Sequence, residues 1–408
     1  MSASADAPGV ATDSRRAVRT LVALAAAHYT AGIGFRVNVA LAAVAAGLSP
    51  ASIGLVLSTF ALVPMLLAVR GGQLVDRIGV RAPMLAGIAL AAVAAALCAA
   101  LPHPAMLALA TGIAGLGTMA FHLGMQHCAG EIGGTARRTA NFNALTMSFS
   151  VSGLLGPPIA GLVIDHAGHR AAFGLSLALQ LAVLVVLKRF PFDRHLPPRT
   201  PASAETAGSP DAPAEDDGAR AARAFALLGA PKLRRLLIAS LLASASWDVY
   251  QFVLPLHAGT IGLSATSVGV AIAAFSAGSL SVRLLLPRLL AHAHPARCMQ
   301  AALAVCVLAY AAAPLAGSLG PLLVLSFLIG TGPGIAQPLL MAALHHASPP
   351  GRAGEAAGLR MTLLSATQLV LPIGLGLIGG VLGTSALFWL YAGVAAAIGV
   401  ALARAERR

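Results

Sequence analysis

The sequence predicts an all-α integral membrane protein with twelve transmembrane helices in two parallel-repeat six-helix bundles. The first observation behind this prediction is composition, since 58% of the 408 residues are hydrophobic and 10% are charged, with a mean hydropathy of +0.83. Soluble domains carry far more charge. The second observation is a series of twelve apolar runs, each long enough to span a bilayer as a helix. The third is an internal repeat of the chain, described below.

The apolar runs fall into two groups of six, separated by a stretch rich in Pro, Ala and acids that has no apolar period and is predicted to be a disordered linker. The predicted spans are roughly 18–46, 51–70, 83–101, 104–130, 139–164, 171–190, 234–258, 265–290, 296–316, 319–345, 356–382 and 385–403. The predicted division of the chain is an N-terminal tail (1–17), a first bundle (18–190), a linker (191–233), a second bundle (234–403) and a C-terminal tail (404–408).

The excess of basic residues reports membrane topology. The chain has 27 Lys and Arg against 14 Asp and Glu, a formal charge of +13. Most of the basic residues fall in the tails, the linker and the loops that follow even-numbered spans, which is the positive-inside pattern. We therefore expect a multi-pass protein of the bacterial inner membrane with its termini and linker in the cytoplasm. A nucleic-acid partner is not needed to explain the charge.

Cysteine usage gives no sign of a metal centre or of disulfide bonds. Cys98, Cys128, Cys298 and Cys306 lie in or beside predicted spans without the spacing of metal ligands. Buried cysteines of this kind commonly act as small apolar packing residues. We expect no cofactor and no metal.

The two groups of spans repeat each other at a fixed offset. The segment "GLSPASIGLVLSTF" begins at residue 47 and matches "GLSATSVGVAIAAF", which begins at residue 262, so the offset is 262 − 47 = 215. The same offset pairs Arg137 with Arg352 and Pro157 with Pro372. An even number of spans separates equivalent points, so both halves have the same orientation. Such halves commonly form a transporter with a central site at their interface.

The stretch "GGQLVDRIGVR" (71–81), between the second and third spans, resembles the signature loop of the major facilitator superfamily. Its matching residues are Gly72, Asp76, Arg77, Gly79 and Arg81, while Val80 departs from the pattern at a basic position. The resemblance extends over essentially the whole chain. It implies a gating loop in which Asp76 lies against the positive N-terminal end of span 11. An ordinary positive-inside loop would explain the two arginines but not the acid between them.

A second stretch, "SGLLGPPIAG" (152–161) in span 5, is similar to a glycine- and proline-rich pattern of antiporter-type family members. We assign Gly153, Gly156, Pro157 and Gly161 to close helix packing at this place. The resemblance implies export by exchange with protons. An arginine that drug–proton antiporters of the family have in span 4 is missing, with Thr111 near its position, which leaves uptake by proton symport as the alternative.

Two charged residues lie well inside predicted spans of opposite halves. Among the acids, Asp248 alone lies deep within a span, and a carboxyl group there is by default a functional candidate. The repeat offset places Arg36 of span 1 on Gln251 of span 7, one turn from Asp248. We predict that Asp248 couples transport to proton movement. Arg36 either pairs with it or anchors an anionic substrate, and a structural ion pair is the alternative for both.

Further polar and aromatic residues of spans 1, 4, 7 and 11 are predicted to line the central cavity or its gate. Arg360, near the inner end of span 11, is predicted to be a gate partner rather than a substrate contact. The predicted cavity residues beside Arg36 are Tyr29, Asn38, His122, Gln126, Trp247, Tyr250, Gln251 and Gln368.

These patterns predict a proton-coupled secondary transporter of a small organic solute that works by alternating access, as a monomer in the lipid bilayer. Export is the predicted direction. No nucleotide-binding motif of the P-loop type occurs, so ATP-driven transport is unsupported. No clustered nucleophile and base or metal triad indicates an enzyme. A membrane sensor that binds its ligand without transporting it is the third class of function the sequence permits.

Overall fold

The computed structural model describes residues 8–101, 103–190, 192, 225–348 and 353–406, and within these ranges the chain is helical, with no strand. Most of the predicted linker lies outside the described residues. The α-helices are α1 (Pro8–Ala45), α2 (Pro50–Ile78), α3 (Arg81–Ala100), α4 (Pro104–Glu131), α5 (Thr135–Arg189), α6 (Pro231–Thr260), α7 (Ala265–His292), α8 (Pro295–Ala312), α9 (Leu319–Ala347), α10 (Ala353–Leu382) and α11 (Thr384–Glu406).

The helices are long and apolar enough for a polytopic membrane protein. Nine of those in the described part of the chain could each cross a membrane by length and composition. One of the nine, α5, contains two crossings, because Gly168 (φ 82°, ψ 173°) interrupts its helical backbone. With α1, α2 and this division, the described helices accommodate the twelve predicted spans. The predicted all-α membrane fold is confirmed.

The stretch 71–81, predicted from sequence to be a loop after span 2, is mostly helical. The helix α2 continues through Gly72 to Ile78, and the chain turns only at Gly79, whose φ of 89° is a conformation that suits glycine. A single glycine inside a helix costs too little to end it. Gly72 therefore lies within α2, whereas Gly79 directly follows its last residue.

The predicted repeat recurs in the packing of the helices. A Cβ added at Gly115 would lie 2.0 Å from the carbonyl oxygen of Phe60, and one added at Gly330 would lie 1.9 Å from that of Phe275. Both members of the second pair are 215 residues beyond those of the first. The turns show the same relation, because Gly47 and Gly262 each have a φ of 69°.

The two halves of the chain meet in close backbone contacts at one end of the bundle, which we call the closed end. It carries the α1–α2 and α6–α7 turns, and the opposite, terminal end carries the start of α1 and the end of α11. A Cβ added at Gly54 would lie 2.2 Å from the Pro372 carbonyl oxygen, and one at Gly269 would lie 2.3 Å from that of Pro157. These contacts join α2 to α10 and α5 to α7, and they leave no room for a side chain.

Candidate functional site

A cavity of about 480 Å³ lies between the two halves. Helices α1, α2, α4 and α5 supply its walls from the first half, and α6, α7, α9 and α10 supply them from the second. Of the predicted site residues, those that line it are Tyr29, Arg36, His122, Gln126, Gly153, Trp247, Asp248, Gln251, Arg360 and Gln368.

Asp248 and Arg36 face this cavity from opposite halves. They interact electrostatically, but no direct ion pair joins them in the described part of the structure. The Asp248 side chain is 8% exposed, and Gln368 of α10 is placed to donate a hydrogen bond to its carboxylate. The Arg36 guanidinium carbon lies 4.7 Å from the centre of the Phe60 ring, a cation–π arrangement. Both charges are thus held at the cavity without neutralising each other by contact.

A polar chain from α1 and α4 forms the wall of the first half. The Gln126 amide donates to His122 Nε2 over 2.7 Å, and the other ring nitrogen of His122 is bonded to the Tyr29 hydroxyl. The tautomer with its proton on Nδ1 satisfies both bonds. Nearby, His28 Nδ1 lies 3.0 Å from Gln180 Oε1. The two histidines that line the cavity are therefore each fixed by a neighbouring side chain.

Aromatic rings give the cavity an apolar surface beside these polar groups. Trp247 packs against Phe275 with ring centroids 5.1 Å apart and against Phe149 of the other half at 6.4 Å. Phe60 and Phe142 also line the cavity. This mixture of a few polar groups with aromatic walls is usual for a site that holds an organic molecule.

Arg283 has no role in the predictions from sequence, although it lies inside the predicted span 265–290. Its Nη1 donates to Ser150 Oγ at 3.4 Å, and its Nη2 donates to Gln337 Oε1 at 3.0 Å. All three residues line the cavity. The signal that could have found Arg283 is its position, because a basic residue within a membrane span is a functional candidate by default.

Arg360 lines the same cavity, where the sequence predicted a gate partner. Its Nε donates to Ser240 Oγ of α6 over 2.5 Å. Its role in gating stays a prediction.

Two predicted cavity residues lie instead in helix packing. Asn38 is 1% exposed and is bonded to His169 through both ends of its amide, over 3.0 and 2.7 Å. Tyr250 is fully buried, donates to Ser326 or accepts from it, and stacks on Phe275 at 5.1 Å. Sequence periodicity places both near the interior, but it cannot distinguish a cavity wall from a helix contact.

The glycine- and proline-rich stretch of α5 lies at close contacts with α1 and α7. A Cβ added at Gly156 would lie 2.6 Å from the Thr30 carbonyl oxygen, and one at Gly161 would lie 2.3 Å from that of Ala265. At Gly153 an added Cβ would meet the Ser276 hydroxyl at 2.7 Å. The backbones at these positions approach each other closely because side chains are absent.

At the closed end, Asp165 of α5 caps the N-terminus of α7. Its two carboxylate oxygens accept hydrogen bonds from the backbone N–H groups of Ala265 (3.0 Å) and Thr266 (2.8 Å). A carboxylate at this place is favoured by the unpaired N–H groups and by the helix dipole. The repeat offset places Gly380 at the equivalent position of α10, so this acid occurs in one half only.

The predicted gating residues lie at the terminal end. The side chains of Asp76 and Arg77 are outside the described part of the structure. Arg81 begins α3, and its Nη2 donates to the Lys188 carbonyl oxygen over 2.8 Å. The interaction of Asp76 with the helix of span 11 therefore stays a prediction.

In the described part of the chain, no group of three or more His, Cys, Asp or Glu side chains is placed to hold a metal ion. The cysteines are buried, and no disulfide bond joins them in the described part of the chain. The chemistry of the cavity therefore rests on its guanidinium, carboxylate, imidazole and amide groups.

Comparison with protein families gives a match over most of the chain. The family model described as Major Facilitator Superfamily matches residues 21–372, and it also matches residues 236–408. Curated protein sequences give no significant match.

Solved structures with a similar fold include the following three transporters. The nucleoside transporter NupG superposes with a TM-score of 0.73 at 15% identity, covering 96% of this chain and 99% of its own. The peptide transporter POT in complex with sulfate gives 0.74 at 18% identity, covering 96% and 94%. The human organic anion transporter MFSD10 (TETRAN) gives 0.63 at 18%, covering 95% and 99%. At these identities the superpositions show a shared fold.

Proposed function

Because the chain belongs to the major facilitator superfamily, we propose that it is a proton-coupled secondary transporter that moves a small organic solute across the bacterial inner membrane. The observation that carries this proposal is a central cavity between two repeated halves, with the buried Asp248 and the cation Arg36 facing it from opposite sides. A carboxyl group in such a position can bind and release a proton as its surroundings change.

We propose that alternating access uses the two ends of the bundle as gates. If the termini are cytoplasmic, as the basic residues predict, the closed end faces the outside. The glycine contacts of α2 with α10 and of α5 with α7, together with the Asp165 cap, then form the outer gate. We propose that the 71–81 stretch, with Asp76, acts as the gate at the inner end. Small residues at both gates allow helices to close without a gap.

Proton coupling needs a group whose charge depends on the state of the transporter. Asp248 is the carboxylate among the described residues that line the cavity, and Arg36 and Gln368 lie around it. Separation from Arg36 favours the protonated form, and return of Arg36 or of a substrate charge favours release of the proton. His28 and His122 line the same cavity, and both already have side-chain hydrogen bonds.

We propose export in exchange for protons as the direction. The α5 stretch that resembles antiporter members supports it, since Gly156 and Gly161 lie at close helix contacts. Uptake of an organic anion by proton symport is the second candidate. The arginines of the cavity favour an anion in either direction.

Flux in proteoliposomes tests the proposal. The purified protein is reconstituted, a pH gradient is imposed, and movement of labelled organic anions, neutral solutes and lipophilic cations is followed. We expect one class of solute to move against its own gradient and to stop when an ionophore collapses the pH difference. Movement opposite to the proton flow supports export, and movement with it supports symport. Binding of a solute without any flux would contradict transport and support a sensor.

Arg36→Lys tests whether Arg36 anchors the substrate. Lysine keeps the positive charge but loses the planar donor fork and much of the stacking on Phe60, so we expect the substrate affinity to fall about tenfold, the effect of losing one charged hydrogen bond. The measurement is half-saturation of counterflow in proteoliposomes. Arg170→Lys, an exposed arginine of α5, is the matched control. Unchanged affinity in Arg36→Lys and Arg36→Ala would assign Arg36 to structure alone.

A further inference from the structure

We infer that the transported solute is an organic anion, and that Arg283 together with Gln337 forms a second binding position for its acidic group. This inference rests on the proposed transport function and adds the class of its substrate. It also gives a role to an arginine that neither the sequence motifs nor the coupling scheme uses.

The described residues that line the cavity carry more positive than negative charges. Three arginines line it, Arg36, Arg283 and Arg360, against one described carboxylate, that of Asp248. A buried cation is expensive unless an anion or enough hydrogen-bond acceptors compensate it. Neutral oxygens are the partners of Arg283 and Arg360 that the structure describes. The cavity is thus electrostatically complementary to an anion.

The hydrogen-bond donors of Arg283 have an incomplete set of acceptors in the described part of the structure. Its guanidinium has five N–H donors. Ser150 accepts one at 3.4 Å and Gln337 accepts one at 3.0 Å, while Nε is buried with no hydrogen-bond partner among the described residues. Ser150 belongs to α5 of the first half and Arg283 to α7 of the second, so movement of the halves changes the longer bond. A carboxylate or phosphate group supplies the strong, planar acceptors that such a guanidinium prefers.

The cations Arg36 and Arg283 lie at different depths along the cavity. With a rise of 1.5 Å per residue, Arg36 lies about 14 Å from the closed end of α1 and Asp248 about 18 Å from that of α6. By the same measure Arg283 lies about 27 Å from the closed end of α7. An anion that enters from the terminal end therefore meets Arg283 before it reaches Arg36. The two arginines mark successive positions for one acidic group.

Aromatic side chains form part of the cavity surface beside these charges. Phe142, Phe149, Phe275 and Trp247 line the cavity near the polar groups. Aromatic walls accommodate the organic part of a molecule, and the guanidinium groups hold its acid. The combination favours an organic anion over an inorganic one.

Fluorescence of Trp247 tests the inference without knowledge of the natural substrate. The chain has two tryptophans, and Trp389→Phe removes the other, which is 51% exposed. In this background, quenching by iodide, caesium and acrylamide is compared at constant ionic strength. We expect iodide to quench several-fold more strongly than caesium, because the arginines concentrate anions near the indole. Arg283→Gln should reduce iodide quenching and leave quenching by acrylamide unchanged.

Binding is tested with four compounds that share a phenyl ring and differ in charge: benzoate, phenylphosphonate, benzyl alcohol and benzyltrimethylammonium. We expect the two anions to protect Trp247 from iodide in a saturable way. In Arg283→Gln the concentration for half-protection should rise about tenfold, and Arg283→Lys should fall between. Arg288→Gln removes the same charge from an exposed position of the same helix and should behave like the parent.

Three results would overturn the inference: equal quenching by iodide and caesium, protection that does not depend on the charge of the phenyl compound, or an Arg283→Gln protein that behaves like Arg288→Gln. Failure of the transport proposal would give a different experimental result. A protein that binds the anions through Arg283 but moves no solute in proteoliposomes would contradict transport and leave the anion-binding position at Arg283 and Gln337 standing.

Discussion

Asp248→Asn is expected to abolish solute accumulation driven by a pH gradient while solute exchange continues. Asparagine resembles the protonated carboxyl in shape and charge, so the cavity keeps its form, but the position can no longer release a proton. For one proton per solute, a difference of one pH unit supports about tenfold accumulation. In Asp248→Asn the accumulation ratio should fall to about one. The measurement is labelled solute in proteoliposomes, with an imposed pH difference and, separately, in counterflow without one.

Glu131→Gln is the matched control for the loss of a carboxylate. Glu131 ends α4, is half-exposed and pairs with Arg138 at 3.5 Å, away from the cavity lining. This variant should accumulate solute like the parent protein. A full proton-driven gradient in Asp248→Asn would rule out Asp248 as the coupling group. Loss of both accumulation and exchange would instead give it a role in binding or folding.

Gly161→Leu is expected to hold the closed end apart. An added Cβ at residue 161 would already lie 2.3 Å from the Ala265 carbonyl oxygen, and leucine adds three more carbons at the same contact. Overpacking of this kind costs about 2 kcal/mol, which shifts a two-state equilibrium by about thirtyfold. The Asp165 bonds to the start of α7 lie on the same helix pair, so they should be lost together with the contact.

The distance between spin labels measures this opening. Labels at Arg170 and Ser318 lie at exposed positions of the closed end, one in each half, and the native cysteines are buried. We expect a short distance in the parent and a mainly longer one in Gly161→Leu. Gly174→Leu, where an added Cβ meets nothing within 4 Å, should leave the distance unchanged. An unaltered distance in Gly161→Leu would show that the α5–α7 contact does not control closure.

The sequence by itself determined the membrane fold and its repeat. Twelve apolar runs are enough to predict helices, because a backbone in lipid must satisfy its hydrogen bonds within each segment. The 215-residue offset predicted pairs such as Pro157 and Pro372, which both receive close contacts from glycines of the other half. Asp248 and Arg36 were also predicted from sequence, because charges inside spans are rare and costly.

Only the tertiary structure decided which polar residues share the cavity. Asn38 and Tyr250 have the helical spacing of cavity residues, but their side chains are bonded to α5 and α9. Arg283 had no motif around it, yet packing brings it to the cavity beside Ser150 and Gln337. The reason is physical, since periodicity fixes the face of one helix, whereas the space between helices depends on where several backbones meet. The Asp165 cap on α7 likewise joins residues 100 positions apart, a contact that local sequence cannot specify.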